Sequence, residues 1–360
     1  MNTQKEDHFF IKRTFELALK ARGKTAPNPL VGAVIVRDGK IISEGFHKKS
    51  GHAHAELDAI NNATESIEGA TLYCNLEPCC HTNKKTPPCA QRIVKEKIKR
   101  VVICNLDPNP AVSGKGISIL KKAGIDVVQE VLNEEGLKLN EIFFHHIIHK
   151  TPFIHLKIAQ TLDGFTATNT GESKWITNDS SRKHVHETRD FYDGILIGAN
   201  TARIDDPSLT VRIKGETRAI KRFILSRTGN ISPNLKLFND EFKKDTYLIL
   251  PIGTITTITT NIIYVEANSN GEVDIKLLMK LLYKKYMLTS IFIEGGSCVH
   301  SLFLKEKLYN RLSFYIAPKI LGHGKNTIQN IGITEMKNSI ELKNIKTLQF
   351  NGDTLITGTK

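Results

Sequence analysis

Phe10, Phe15, Ala18 and Leu19 recur near helical spacing and Gly23 follows them, which predicts a helix over 9–22. The period then changes. Val31-Gly32-Ala33-Val34-Ile35-Val36 and Lys40-Ile41-Ile42-Ser43 flank Asp38-Gly39, the pattern of two strands around a tight turn. Beyond this hairpin the pattern predicts a helix over 54–62, a strand over 70–75, a helix after Cys89, a strand over 100–104, a helix over 116–123 and a strand over 125–130. Such alternation predicts a three-layer α/β/α sandwich whose later strands are largely parallel. Residues 131–152 read as a helical stretch ending at Thr151-Pro152, because Pro disfavours helix in the residue before it. The boundary between two domains is placed there, giving 1–149 and 150–360.

The second half predicts strands over 153–159, 194–198, 222–226, 246–250, 290–294 and 311–317, with helices over 180–189 and 273–286. It closes on 342–350, Asn351-Gly352 and 353–359, two strands around the strongest short hairpin signal. A second α/β domain with a terminal antiparallel hairpin is expected.

Length agrees with two cores: 360 residues at 40% hydrophobic content exceed one ordinary domain. No run of 18 apolar residues occurs and the polar start, Met1 to His8, lacks the apolar core of a signal peptide, so a soluble, cytoplasmic protein is expected. The formal charge of +13 permits phosphate-bearing ligands, but the lysines are interspersed along the chain, as in Lys95-Glu96-Lys97-Ile98-Lys99-Arg100, which reads as a solvated surface.

Cys74, Cys79, Cys80 and Cys89 cluster, with His54 upstream, and in a reducing compartment such clustering reads as a metal site. Cys104 and Cys298 stand alone and read as small buried hydrophobes. The His145-His146-Ile147-Ile148-His149 run has no Cys near it and matches no zinc spacing, so surface or packing histidines are expected there.

Hydrolytic deamination needs an activated water and a group that carries its proton to the departing nitrogen. Zinc held by three protein ligands with one open position supplies the first, and a nearby carboxylate that is not a ligand supplies the second. His54-Ala55-Glu56 at a helix start, Glu77-Pro78-Cys79 after a strand and Pro87-Pro88-Cys89 before the next helix provide both. The ligands are therefore read as His54, Cys79 and Cys89, with Glu56 as the proton shuttle, in the H-x-E and P-C pattern of zinc deaminases. A closed structural zinc using Cys80 as a third thiolate would leave Glu56 without a purpose, and adjacency to Cys79 turns Cys80 elsewhere.

The long loop from Cys79 to Cys89, together with Ala26-Pro27-Asn28-Pro29-Leu30-Val31-Gly32 and Asp107-Pro108-Asn109-Pro110, resembles the bifunctional diaminohydroxyphosphoribosylaminopyrimidine deaminase/5-amino-6-(5-phosphoribosylamino)uracil reductase family of riboflavin biosynthesis. The likeness continues through Leu156-Lys157, Ala159 to Gly164, Gly171 to Thr177, Asp205 to Arg212 and Ile291 to Ser297, and spans nearly the whole chain. It implies a cytidine-deaminase-like first domain that replaces the 2-amino group of a pyrimidinone with oxygen, and a dihydrofolate-reductase-like second domain that reduces the ribosyl side chain with NADPH. No Gly-x-Gly-x-x-Gly is present, so a Rossmann reading has no support.

Carried over position by position, the resemblance puts Asn28 and His47 at the base of the substrate and His81, Lys85, Asp107 and Asn109 at its ribose or phosphate. In the second domain it puts NADPH near Ala159, Trp175, Thr201, Asp205 and the run Gly296, Ser297, Cys298, Val299, His300, Ser301 and Leu302. It puts substrate near Ser173, Arg189, Leu209, Arg212 and Glu294, and it names Lys157 and Asp205 as candidates for proton delivery. A small phosphoribosyl pyrimidine as substrate, one zinc, NADPH and a homo-oligomer, dimer or tetramer, follow from it; nucleic acid and membrane are not expected as partners.

Two departures stand out. The family loop usually reads Cys-Ser-His-x-Gly-x-Thr-Pro-Pro-Cys, whereas this one lacks the Gly and is a residue longer; Ser226-Arg227 stands where relatives more often show Asp-Ser. The rivals are a tRNA or free-nucleobase deaminase, which explains neither the second domain nor the long Cys loop, and a zinc-stabilised RNA-binding module, which predicts salt-dependent RNA binding that persists when Glu56 becomes Gln.

Overall fold

Strand β1 (Gly32–Arg37) sends Ala33 and Ile35 to one side and Val34 and Val36 to the other, and each pair lies in a different apolar cluster. A strand that is apolar on both faces needs cover on both. In the computed structural model, which describes residues 3–80, 88–213, 215–259 and 261–360, helices of the first unit supply it. That unit is Met1–Lys150, and the second is Thr151–Lys360.

The first unit runs α1 (Thr3–Leu19), β1, β2 (Lys40–Phe46), α2 (Ala55–Asn62), β3 (Thr71–Leu76), α3 (Cys89–Lys95), β4 (Arg100–Asn105), α4 (Lys115–Lys122), β5 (Asp126–Val128), α5 (Asn133–Leu139) and α6 (Glu141–His149). Its five strands lie in the order β2-β1-β3-β4-β5. The hairpin pairs antiparallel with itself and with β3, while β3, β4 and β5 are parallel. Phe10, Ile11 and Leu17 of α1 cover the Val34 face. Ala55 and Ala59 of α2, Ala90 and Ile93 of α3, and Ile117 and Leu120 of α4 cover the Ile35 face. Each fully buried Ile or Leu contributes about 1.5–3 kcal/mol to this sandwich.

Helix α1 starts well before the expected residue 9 because a polar group holds its first turns. Buried Asp7 accepts from Arg100 Nη1 at 2.7 Å, from Arg100 Nη2 at 2.8 Å and from the Tyr73 hydroxyl at 3.1 Å, tying the helix to β3 and β4. On the other face, a Cβ on Gly45 would lie 2.2 Å from Ala59 N and 2.7 Å from Ala55 O, so only glycine lets α2 rest directly on β2. Residues 131–152, expected as one helical stretch, form two helices that break at Asn140.

The second unit runs β6 (Phe153–Thr161), β7 (Phe165–Ala167), α7 (Asp179–Arg189), β8 (Gly194–Gly198), α8 (Ala199–Asp205), β9 (Val211–Ile213), β10 (Glu216–Arg218), β11 (Lys221–Leu225), α9 (Lys236–Asn239), β12 (Thr246–Pro251), β13 (Ile262–Val265), α10 (Ile275–Tyr286), β14 (Ser290–Gly295), α11 (Ser297–Lys305), β15 (Arg311–Ala317), β16 (Lys325–Asn326), β17 (Lys343–Phe350) and β18 (Asp353–Thr359). Nine strands form one sheet in the order β13-β12-β11-β8-β14-β6-β15-β18-β17. It is parallel from β13 to β15, and the terminal hairpin adds antiparallel. Asn351 and Gly352 turn that hairpin with φ of 48° and 99°, as the dipeptide predicts.

Helix α10 begins at Ile275 because Asp274 caps it, accepting from Lys276 N at 2.8 Å and Leu277 N at 3.1 Å. Its Leu278, Met279 and Leu282 join Val299 and Phe303 of α11 on one face of the sheet. Ala199 and Ala202 of α8 lie on the other with Ile195 and Ile197. That face carries a fully buried guanidinium. Arg222 donates to Thr246 Oγ1 (2.8 Å), to Asp240 Oδ2 (2.6 Å) and Oδ1 (2.7 Å), and to the carbonyls of Ser208 (2.9 Å) and Leu237 (3.1 Å).

β8 is followed through α8 by β11 on one side, while β14 is followed through α11 by β15 on the other, and β8 and β14 are neighbours. The chain thus leaves adjacent strand ends in opposite directions. Such a switch point opens a crevice at the carboxyl ends of the strands, where open α/β sheets bind ligands.

Candidate active sites

In the first unit, His54 is the residue before α2, Cys79 follows β3 after Glu77-Pro78, and Cys89 opens α3. Three separate elements thereby deliver one ligand atom each. Cys79 Sγ and Cys89 Sγ both lie 3.4 Å from His54 Nδ1 and 3.5 Å from each other. A tetrahedral zinc with ligand bonds of about 2.0–2.3 Å separates its donors by about 3.5–3.8 Å, so the donor set and its spacing fit that ion. Among the described residues this is the one group of three that could hold a metal.

The hydrogen bond between the two sulfurs, supported by His54, lowers the Cys79 thiol, while the same contact and burial raise Cys89. Ala90 N donates to Cys79 O at 3.0 Å and Cys89 N reaches Cys79 Sγ at 3.5 Å, which closes the base of the intervening loop. Cys80 faces away, its Sγ 3.8 Å from Ala111 O.

Glu56, in the first turn of α2, is 3% exposed, and burial raises its carboxyl above the usual range. His47 donates from Nδ1 to Ala53 O at 2.9 Å, so its Nε2 accepts from Asn28 Nδ2 at 3.1 Å, and its ring stands edge-on to that of His54 at 5.6 Å between centroids.

A second loop is held by one carboxylate. Glu77 accepts from the backbone N–H groups of Asp107 (3.3 Å), Gly114 (3.0 Å), Gly116 (3.0 Å) and Ile117 (3.4 Å). Asp107 in turn accepts from Asn109 N at 2.8 Å. Glu77 was missed by sequence reasoning; its signal was a carboxylate beside a ligand cysteine with no chemistry to do. His81 and Lys85 lie outside the described residues.

In the second unit, β14 ends at the switch point in Gly295-Gly296. A Cβ on Gly295 would lie 2.3 Å from Ile197 Cα, and one on Gly296, at φ 77°, would lie 2.9 Å from Thr201 Oγ1. Glycine at both positions lets the end of β14 pack directly against Ile197 and Thr201, and α11 starts there, where helix N-terminal amides and the helix dipole favour phosphate. Of the run after it, Ser297 is half-buried and Cys298 exposed, whereas Val299, His300 and Ser301 are buried beneath the turn. Cys298 is therefore not the buried hydrophobe expected; it sits on the solvent side of the first turn and accepts from Gln329 Nε2 at 3.1 Å.

A charge cluster gathers around Glu294 at the end of β14. Arg189 is buried and donates from Nε to Glu294 Oε1 at 2.8 Å and from Nη1 to the Thr210 carbonyl. Burial would raise Glu294, but the Arg189 and Lys157 cations outweigh it and hold the carboxyl below its ordinary value. Burial, then Arg189, lowers Lys157, against the pull of Glu294 and Asp205. Asp205 is raised, first by burial, and its Oδ1 is buried without a hydrogen-bond partner.

Arg212, on β9, is exposed, with Nη2 3.2 Å from His186 Nε2. Burial and the two arginines bring His186 down to about 4, so it is neutral at physiological pH. Sequence reasoning missed His186, which has no motif and is placed only by the fold. Leu209 is buried in the core beside this loop, Ser173 is half-buried, and Ala159 lies on β6. Trp175 is 62% exposed, with the Arg182 guanidinium 4.4 Å over its ring and its carbonyl accepting from Lys319 Nζ at 2.6 Å. A core role for this tryptophan is excluded.

The chain matches two family models, the cytidine and deoxycytidylate deaminase zinc-binding region over residues 4–105 and the RibD C-terminal domain over residues 152–356. It is 40% identical over 350 residues to the riboflavin biosynthesis protein RibD of Aquifex aeolicus, covering 97% of each chain. Among solved structures it is similar to the Thermotoga maritima diaminohydroxyphosphoribosylaminopyrimidine deaminase/5-amino-6-(5-phosphoribosylamino)uracil reductase, at 36% identity and a TM-score of 0.89 over 99% of both chains. It is likewise similar to RibD of Acinetobacter baumannii, at 33% identity and a TM-score of 0.88 over 99% of both.

Proposed function

This chain belongs to the RibD family, and from that premise we infer how its own residues divide two consecutive reactions of riboflavin biosynthesis. It is a bifunctional enzyme: a zinc-dependent deaminase converts 2,5-diamino-6-(5-phosphoribosylamino)pyrimidin-4(3H)-one to the 5-aminouracil, and an NADPH-dependent reductase converts the ribosyl chain to ribityl. The observation that carries the first half is the convergence of His54, Cys79 and Cys89 to 3.5 Å or less with Glu56 buried two residues from a ligand.

We assign the deaminase to 1–149 and the reductase to 150–360. Zinc, when bound, acts as a Lewis acid and lowers the pKa of water. Asn28 and His47 orient the pyrimidine edge, their mutual hydrogen bond fixing both side chains. Glu56 takes a proton on its carboxylate and returns it to the leaving amine. The loop held by Glu77 presents Asp107 and Asn109 to the ribose, and His81 and Lys85 are assigned to the phosphate end.

In the reductase NADPH supplies the hydride, and the protein's part is orientation and electrostatics. Ala159, Trp175, Thr201, Asp205 and the Gly296–Leu302 turn form the cofactor side of the crevice. Ser173, Leu209, Arg212 and the Arg189–Glu294 pair form the substrate side, with Arg212 as the exposed guanidinium for the phosphate. Lys157, lowered by burial, and Asp205, raised by burial, are assigned to deliver the proton that accompanies hydride transfer. A cytoplasmic homo-oligomer without nucleic-acid partners completes the reading; among the described residues no helix is long and apolar enough to cross a membrane.

The test is a coupled assay on zinc-loaded protein, supplied with the diaminopyrimidinone ribosyl phosphate and followed for ammonia release and NADPH oxidation together. Both signals are expected, with NADPH oxidation lagging ammonia. NADPH oxidation without ammonia would overturn the order.

A further inference from the structure

Residues 106–151 fall outside both family-model matches, which end at 105 and resume at 152. Yet two residues of this stretch bond directly to the loop that bears Asn28. Asn140, at the break between α5 and α6 and 3% exposed, accepts from Leu30 N through Oδ1 at 2.8 Å and donates from Nδ2 to Leu30 O at 3.0 Å. One side chain thus replaces the backbone partners a strand would give Leu30. His146, one helical turn and a half further on and equally buried, donates from Nε2 to Pro27 O at 3.1 Å.

These contacts bracket Asn28 from both sides. Asn75 of β3 completes the clamp, donating to Leu30 O at 2.9 Å and accepting from Gly32 N at 2.8 Å. From Asn28 the chain of bonds continues to His47 and Ala53 O, adjacent to the ligand His54. Helix α5 is seated closely enough to set this geometry, since a Cβ on its Gly136 would lie 2.0 Å from Asn105 Oδ1 and 2.3 Å from Cys104 Sγ.

We propose that Asn140 is a positioning residue of the deaminase, holding the Pro27–Leu30 loop so that Asn28 meets the pyrimidine, with His146 as its second brace. The proposal rests on the reading of Asn28 as a substrate contact. The helices that end the first unit are then part of the deaminase site in function, although no atom of theirs touches substrate. Loss of the clamp loosens the loop and weakens substrate capture, without disturbing zinc.

The experiment measures kcat and KM for ammonia release in full-length, zinc-loaded Asn28→Ala, Asn140→Ala and the double variant. Zinc content and reduction of directly supplied deaminated intermediate serve as controls. Asn28→Ala and Asn140→Ala are each expected to raise KM for deamination about tenfold, the scale of a lost buried hydrogen-bond pair, with zinc and reduction unchanged. The double variant is expected to be no worse than Asn28→Ala alone, because one acts through the other. Should Asn140→Ala fail to fold, Asn140→Asp, which keeps the acceptor for Leu30 N and loses the donor to its carbonyl, carries the same test. A silent Asn28→Ala overturns the reading of the loop and this proposal with it. A costly Asn28→Ala beside a silent Asn140 variant, multiplicative effects in the double, or zinc loss in parallel with activity overturns this proposal alone.

Discussion

Arg189 and Glu294 meet through two nitrogens on one oxygen, Nε at 2.8 Å and Nη2 at 2.6 Å from Glu294 Oε1, and neither side chain has more than about an eighth of its surface exposed. The pair joins α7 to the end of β14 and sits beside Lys157, so one carboxylate answers two cations. Breaking a buried pair from one side leaves charge uncompensated, which costs about 3–5 kcal/mol.

Glu294→Gln is therefore expected to lower the stability of the second unit by about that amount at neutral pH. A carboxyl held below its unfolded value stabilises the fold at pH above the usual carboxylate range, and that contribution fades as acid protonates it in the folded state. The native protein should lose stability from about pH 4.3 downward and the variant should lack that component. Urea unfolding of the second unit between neutral pH and pH 3.5 would show it; parallel acid limbs would remove Glu294 from this role.

Glu56→Gln keeps the shape of the side chain and removes its proton chemistry. Ammonia release is expected to fall by about 10²- to 10⁴-fold, with zinc content equal to that of the native protein by atomic absorption. Normal turnover in the zinc-loaded variant would end the assignment of Glu56 as shuttle.

Arg212→Ala tests the phosphate end of the reductase. Among the described residues the exposed guanidinium bonds the imidazole of His186, so its removal strands no buried charge there. KM for the deaminated intermediate should rise about 10- to 100-fold, as for a lost charged hydrogen bond, with ammonia release unaltered. An unchanged KM would transfer the phosphate to another residue.

Arg222→Met addresses the second buried guanidinium, whose partners include Asp240 and the Ser208 carbonyl just before Leu209. A loss of about 3–5 kcal/mol in the second unit is expected, partly recovered when Asp240→Leu is added, because an apolar pair leaves no stranded carboxylate. Chemical denaturation of the single and double variants decides it; additive losses would contradict the pairing.

What the sequence made legible depended on how local each signal was. The zinc ligands and Glu56 could be read because Pro-Cys, His-Ala-Glu and their flanking elements carry the chemistry within a few residues. Both hairpins followed from Asp38-Gly39 and Asn351-Gly352, which adopt the positive φ their types require. Helix α8 was invisible because Ala199 and Ala202 are its only buried residues, too little for an apolar stripe. The first turns of α1 were invisible because an ion pair, Asp7 with Arg100, anchors them across 93 positions. Asn140, Glu77, His186 and Arg222 were missed for the same reason: each acts on backbone or side chains brought near only by the fold.

The closure at the foot of the Cys79–Cys89 loop has a bearing on how this enzyme can diverge. Since Ala90 N bonds Cys79 O and Cys89 N meets Cys79 Sγ below the loop, the spacing of the two sulfurs is set by β3 and α3 rather than by the residues strung between them. Residues strung between the two cysteines can therefore change in number or kind without moving the two sulfurs.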